Sequence, residues 1–206
     1  MKAMPAERDT PPRPSQPPGG AARIGAGDDP ALVAQTLAGD RAAFGVLVER
    51  YAAQARRVAR AVLGDPDDAD DAAQDGFLSA LVKLGQYDSR RPFGPWLMRI
   101  VANAATDRRR RRNVRRAEPL DPSLVGGGPR PDAVAAQSEL GDRLRAALAE
   151  LPQRRRTAVV LFDVEGYSHA EIAEILGIPE GTVRSEVFHG RRRLRALLED
   201  WKEQVK

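Results

Sequence analysis

"YSHAEIAEILGIPEGTVRSEVFHGRRRL", residues 167–194, is the stretch on which the fold turns. Within it Ser168-His169-Ala170-Glu171 has the form of a capping box. The Ser168 hydroxyl can accept from the Glu171 backbone N–H while the Glu171 carboxylate reaches back. Tyr167 and Ile172 stand where a hydrophobic staple needs them. The apolar pattern continues through Ala173 and Leu176, Gly177 stops the helix, and Pro179 discourages its continuation. A second helix begins around Gly181-Thr182. Small Ala173, Gly177 in the turn and Val183 inside the second helix have the spacing of a DNA-binding helix-turn-helix, although a generic helical hairpin shares the bare pattern.

Glu186 stands oddly in that arginine-rich second helix, because a carboxylate facing phosphates is repelled. Helical phase resolves the conflict. At about 100° per residue, Val183, Val187, Gly190, Leu194 and Leu197 fall on one side, which should be buried. The opposite arc carries Ser185, Phe188, His189 and Arg192, with Arg184 and Arg195 at one edge. Glu186 lies roughly 60–70° from the centre of the buried stripe, on the flank, where His189 or an arginine of the same domain can pair with it.

The chain around this segment has 206 residues, room for one ordinary domain or two small ones. Aromatic residues make up only 5%, so the cores should be Ala, Leu and Val packed between helices. With no cysteine, disulfides and thiolate metal sites are excluded, which suits a reducing compartment. No apolar run approaches the roughly 18 residues of a membrane span, and no signal-peptide core is evident; the expected location is the cytoplasm.

Pro, Gly and Ala dominate residues 1–28, which reads as a disordered tail. Residues 29–112 carry a helical pattern broken at Gly39-Asp40 and Gly64-Asp65-Pro66, with a third helix over about Asp67–Leu84, a loop over Gly85–Pro95 and a fourth helix starting near Trp96. Residues 113–135 read as a flexible linker, and residues 136–204 form a second helical segment. Strand-like alternation is absent. The expected fold is all-α, two small helical domains joined by a flexible linker, the second containing the helix-turn-helix.

The net charge is only +4, yet the charges are segregated. Asp65 to Asp75 holds six aspartates and no cation, while Lys83 to Arg116 holds eleven Lys/Arg against Asp88 and Asp107. Separated blocks of opposite sign suggest distinct partner surfaces, with solvated helix faces as the plainer reading. Asp67, Asp71 and Asp75 share a helix face; Ala73, Phe77, Leu81 and Leu84 should be core. A calcium loop does not fit, since counting from Asp65 the sixth position is Asp70 and the twelfth Gly76. Beyond it, "YDSRRPFGPWLMRIVANAATDRRRRRNVRR" interleaves aromatic and basic side chains, a combination suited to opened nucleic acid. For Trp96 core packing and DNA contact are both open, and Arg108 to Arg112 can equally form a solvated end.

Taken together these strings resemble a bacterial RNA polymerase sigma factor of the extracytoplasmic-function (ECF) group. Asp68, Ala69, Asp71, Gln74, Phe77 and Leu78 match the family's D-A-E-D-x-x-Q-E-x-F-L pattern, with Asp70 and Asp75 in place of glutamates. Trp96, Leu97, Arg99, Ile100, Asn103 and Asp107 stand as in the segment that melts the minus-ten element, and residues 151–185 look like the region that reads the minus-thirty-five element. The departures are Ala72, Ala73 and Gly76, smaller than the family's usual residues and so implying looser packing, and Glu186 and His189, where the family commonly carries basic residues.

The resemblance implies a chain with no catalytic residues, metal or cofactor of its own. It implies docking on core polymerase through Asp68, Asp70, Asp71, Gln74, Asp75, Phe77 and Leu78. On the minus-ten side it implies DNA contacts from Tyr87, Arg90, Arg91, Phe93, Trp96, Arg99 and Asn103, with Arg108, Arg109, Arg110 and Arg111 holding phosphates. In the second helix of the helix-turn-helix the implied DNA contacts are Thr182, Arg184, Ser185, Phe188, His189 and Arg192. Control by an anti-sigma protein is a further expectation. The rival reading is a stand-alone helix-turn-helix regulator on duplex DNA, which leaves the acidic helix and the Trp96 segment unused. A hydrolase using the aspartates is disfavoured by the presence of only two histidines and the lack of a phosphate loop.

Overall fold

The computed structural model describes residues 28–117 and 139–204. The expected N-terminal tail and most of the expected linker lie outside the described residues. Those residues contain eight α-helices and no strand, and no helix among them is long and apolar enough to cross a membrane.

The second helix, α2 (Arg41–Leu63), is the central strut. The Asp40 carboxylate caps it by accepting from the backbone N–H of Ala42 at 2.9 Å, and Gly64 ends it at φ 79°, in the left-handed region that glycine favours. Its buried Leu47, Tyr51, Ala55, Val58 and Val62 recur at three- and four-residue spacing, each large apolar side chain stabilising by roughly 1.5–3 kcal/mol. The shorter α1 (Asp29–Leu37) is anchored on α2 through a buried carboxylate. Asp29 accepts from the Tyr51 hydroxyl at 2.5 Å and pairs with Arg50, which satisfies an otherwise costly buried charge. Burial first, and that hydrogen bond second, push the Tyr51 phenol up from its ordinary value.

Helices α3 (Pro66–Val82) and α4 (Phe93–Ala117) complete a bundle with α2. Ala69, Ala72, Ala73, Gly76 and Ala80 are the small buried residues of α3. They bring α4 close. A Cβ on Gly76 would lie 2.8 Å from Val101 Cγ2 and 3.0 Å from Val101 Cα. The looser packing expected from these small residues is therefore not found, because the opposing helix fills the space. Leu81 is also not core: it is 43% exposed, whereas Phe77 and Leu84 are buried. Leu81 lies roughly 120° around α3 from the centre of that small-residue stripe, whereas Leu84, beyond the end of α3, is carried inward by a 3-10 turn at Leu84–Gln86. Helix α4 starts at Phe93, three residues before Trp96, and runs to Ala117, beyond the expected domain end at Arg112.

The second half comprises α5 (Glu139–Ala149), α6 (Gln153–Val159) running into a π-helical turn (Val160–Val164), α7 (His169–Leu176) and α8 (Glu180–Gln204). The Ser168 capping box is formed on both sides and Gly177 closes α7 at φ 64°. A satellite cluster of Ala147, Leu151, Val159 and Leu194 ties α5 to α6 and α8. The main core does not respect the division into halves. It runs from Leu47, Val58 and Phe93 through Leu161, Phe162 and Tyr167 to Ile172 and Val183.

Candidate nucleic-acid interface

Helix α8 distributes its residues as the phase of its sequence requires. Val183, Val187 and Leu194 are buried, and Gly190 is pressed against α6, where a Cβ would lie 2.4 Å from Val159 Cγ2. Ser185, Phe188, His189 and Arg192 are exposed; Phe188 is 51% exposed, with the His189 ring edge-on to it at 5.3 Å. Thr182 is half-buried, and Arg184 pairs with Glu180 at 2.7 Å. Glu186 sits on the flank and accepts from Arg155 Nε at 3.2 Å, so its partner is an arginine of α6 rather than His189. An apolar and hydrogen-bonding arc on an exposed helix, rimmed by arginines, can read base edges in a major groove while its cations hold phosphates.

Beneath this helix the structure adds a stack that the sequence did not announce. His169 lies on Phe162 with ring centroids 4.5 Å apart, and the Arg191 guanidinium lies over the same ring at 5.3 Å. Arg191 also donates twice to Asp163, at 2.6 and 3.1 Å. Burial, helped by the charge of Arg184, pushes the His169 imidazole below its ordinary value, so it is a neutral stacking ring at pH 7. Its only sequence signal was the capping box.

The other half presents an aromatic cleft. Tyr87 packs on Phe93 and Trp96 at 5.3 Å each, and Tyr51 backs Phe93 at 5.6 Å. Phe93 is 2% exposed, so it forms the floor of the cleft and offers no stacking face, a correction to its expected role. Trp96 is half-buried: it packs inward on the core and also lines the cleft. The cleft is shaped by Tyr87, Arg91, Pro95, Trp96 and Arg99, with Glu171 and Glu174 of α7 on its far side. The turn carrying it is pinned: the Tyr87 hydroxyl donates to the Arg91 carbonyl, and Arg90 grips Asp88 with two donors at 2.9 Å. That grip holds the Asp88 carboxyl down at about 2.

Phase also sorts the arginine run of α4. Trp96, Arg99, Asn103 and Arg110 fall within about 60° of one another around the helix axis, a single stripe leading away from the cleft. Arg99, Asn103, Arg110 and Arg111 are exposed and Arg109 is half-buried. Arg108 points the other way. It meets Asp68 at 3.1 Å, Asp71 at 2.5 Å and Asp75 at 3.6 Å, while Arg112 meets Asp68 at 2.8 Å and Asp65 at 3.3 Å. The acidic helix thus finds much of its compensation inside the bundle. What it turns outward is Asp70, Gln74 and Leu78, beside exposed Leu81 and Val82, with Asp71 and Asp75 at the edge. Phe77 is core and not available to a partner, a second correction.

Two family models match the chain where these surfaces lie: Sigma-70 region 2 over residues 47–115 and Sigma-70 region 4 over residues 141–194. This chain belongs to the ECF sigma factors. It is 41% identical to the ECF RNA polymerase sigma factor SigM of Mycobacterium tuberculosis over 170 residues, covering 82% of this chain and 84% of that one. Among solved structures it is similar to CnrH in complex with the cytosolic domain of CnrY, at 31% identity and TM-score 0.62, covering 84% of this chain and 97% of that one. It is also similar to the sigma factor RpoE of Bartonella quintana in complex with the anti-sigma factor NepR, at 26% identity and TM-score 0.59, covering 76% and 96%. As an ECF sigma factor it is a transcription-initiation subunit that binds core RNA polymerase and promoter DNA and catalyses no reaction itself.

Proposed function

We propose a division of labour among three surfaces of this sigma factor. The outward face of α3, with Asp70, Gln74 and Leu78 at its centre, docks on core polymerase. The Tyr87–Trp96 cleft accepts a base from the opened minus-ten element, and the Arg99–Asn103–Arg110 stripe carries the strand that leads from it. Ser185, Phe188, His189 and Arg192 on α8 read the minus-thirty-five element, with Arg184 and Thr182 at the phosphates. The observation that carries this reading is the phase of α4, which directs Arg108 and Arg112 to the acidic helix and leaves an aromatic and basic stripe facing outward. Stacking and charge neutralisation on one face is the chemistry single strands need.

The protein works in the cytoplasm, where polymerase and chromosome are. CnrH and the Bartonella RpoE are each held by a second protein, one of them named an anti-sigma factor, and we extend that mode of control to this chain. The test is gel filtration with core polymerase. Wild type co-elutes, and Leu78→Asp, at a 57% exposed position, abolishes co-elution without unfolding the chain. Failure of wild type to co-elute would favour a stand-alone regulator, and unchanged co-elution of the variant would move the docking face elsewhere.

A further inference from the structure

We propose that Phe162, Asp163 and His169 form a positioning platform for α8, acting through Arg191, and that this platform sets how sharply the minus-thirty-five element is discriminated without touching DNA. The proposal rests on the reading of α8 as the helix that enters the upstream major groove, and it names residues beyond those on its exposed arc.

The π-helical turn supplies Phe162 and Asp163, α7 supplies its first residue, His169, and α8 supplies Arg191. The turn is closed by the Glu165 N–H, which donates to the Val160 carbonyl at 3.1 Å. Such turns are rare and frequently accompany functional sites. Phe162 is 2% exposed, so its ring is a fixed floor. His169 lies nearly parallel to that ring, with 20° between the planes. Arg191 lies over the same ring while donating to both carboxylate oxygens of Asp163. A planar guanidinium held by a two-point ion pair and a ring face keeps little freedom. Arg184 pairs within α8 itself, through Glu180, whereas Arg191 ties α8 to another element.

Arg191 stands where rotation of α8 is decided. Its neighbour Gly190 is pressed on Val159 of α6, and both Arg192 and Phe188 of the exposed arc lie within one turn of it. Buried Val183 and Val187 determine which side of α8 faces down, but apolar burial is non-directional and tolerates a small roll about the axis. Side chains reach about 5–6 Å from a helix axis, so a roll of about 20° moves their tips by roughly 2 Å. Hydrogen bonds to base edges have donor–acceptor distances of about 2.7–3.2 Å and do not survive that displacement. Contacts of long arginines with phosphates do survive it, so a loosened platform costs discrimination before it costs affinity.

Run-off transcription by core polymerase with the full chain tests this, on a promoter that wild type selects and on templates with one base pair changed in either the upstream or the minus-ten motif. Circular dichroism establishes that each variant is folded at the assay temperature. Arg191→Lys keeps the charge and loses the planar two-point grip. It should reduce discrimination against the upstream change by about three- to tenfold and leave discrimination at the minus-ten motif as in wild type. Asp163→Ala should have the same effect, and combining it with Arg191→Lys should add little. Asp163→Asn, which retains one acceptor and the side-chain volume, should fall between wild type and Asp163→Ala. His169→Phe keeps a stacked ring and should discriminate like wild type, whereas His169→Ala should not. Undiminished upstream discrimination in Arg191→Lys, parallel loss at both motifs, or independent effects of the two substitutions would each overturn the proposal. A uniform gain on all templates in Asp163→Ala would also overturn it, by making Arg191 a phosphate contact released from its acid. If wild type itself shows no upstream discrimination, the reading of α8 falls and the platform with it.

Discussion

Glu186 of α8 and Arg155 of α6 form an ion pair at 3.2 Å, with side chains 21% and 31% exposed. The acid that seemed out of place in a DNA-reading helix is thereby a fastener between that helix and the one beneath it. Glu186→Ala should lower stability to urea by about 0.5–1 kcal/mol and leave duplex affinity of the chain essentially unchanged. Glu186→Arg sets two guanidiniums together and should cost more. A marked fall in affinity for Glu186→Ala at unchanged stability would place this side chain on the DNA instead.

Gly76 and Gly190 each sit where a neighbouring helix leaves no room for a Cβ. Alanine ordinarily improves a helix interior by up to about 1 kcal/mol over glycine. Here the added Cβ meets Val101 at 2.8 Å in one case and Val159 at 2.4 Å in the other. Each substitution should therefore destabilise, by roughly 1–3 kcal/mol, as read by thermal or urea unfolding. A stabilised Gly76→Ala would contradict the close α3–α4 contact.

Arg108 offers a choice between two roles. Its contacts with Asp68, Asp71 and Asp75 make it the cation that neutralises the acidic helix. Arg108→Ala should destabilise the chain by about 1–2 kcal/mol at low salt, with the difference shrinking as salt screens the aspartates from one another. Circular dichroism melts over a salt series measure this. A variant of unchanged stability with weakened single-strand binding would return Arg108 to the DNA side.

Asp88 supplies a pH prediction. Its carboxyl is held at about 2, below the ordinary 3.8, chiefly by the Arg90 side chain and then by the Arg90 backbone N–H. Because the folded value is depressed, the lock is fully present above about pH 4 and is lost as pH falls toward 2. An NMR titration of the carboxyl should show the low midpoint, and Arg90→Ala should return it toward the ordinary value. A wild-type midpoint near 3.8 would deny the Asp88–Arg90 grip in solution.

Arg192 lies on the exposed arc of α8. Arg192→Ala should weaken minus-thirty-five binding and reduce the salt slope of log K by about 1. An unchanged slope measured by fluorescence anisotropy would remove it from the contact surface.

The parts of this molecule that were legible in its sequence are those determined by neighbouring residues. The Ser168 capping box, the Gly177 stop and the buried stripe of α8 are local patterns, and each follows from helix geometry alone. The aspartate block was only half legible. Its charge was plain, but which carboxylates turn inward depends on Arg108 and Arg112, some forty residues away. Leu81 was misplaced because it was grouped with Leu84, which reaches the core through a 3-10 turn beyond α3 and not along the buried face of that helix. The contact of Arg57 with Glu165 spans 108 residues and joins segments that read as separate domains; no periodicity reports it. The Phe162 stack depends on a π-helical turn that local propensity does not signal.

The most direct measurement is run-off transcription with core polymerase on a promoter library, with and without the full chain. The chain should produce new start sites whose templates share two short motifs separated by a fixed spacer. Templates selected by Glu186→Ala should share the same upstream motif. Start sites that do not depend on the chain, while the chain alone still binds duplex DNA, would contradict its action as a sigma factor.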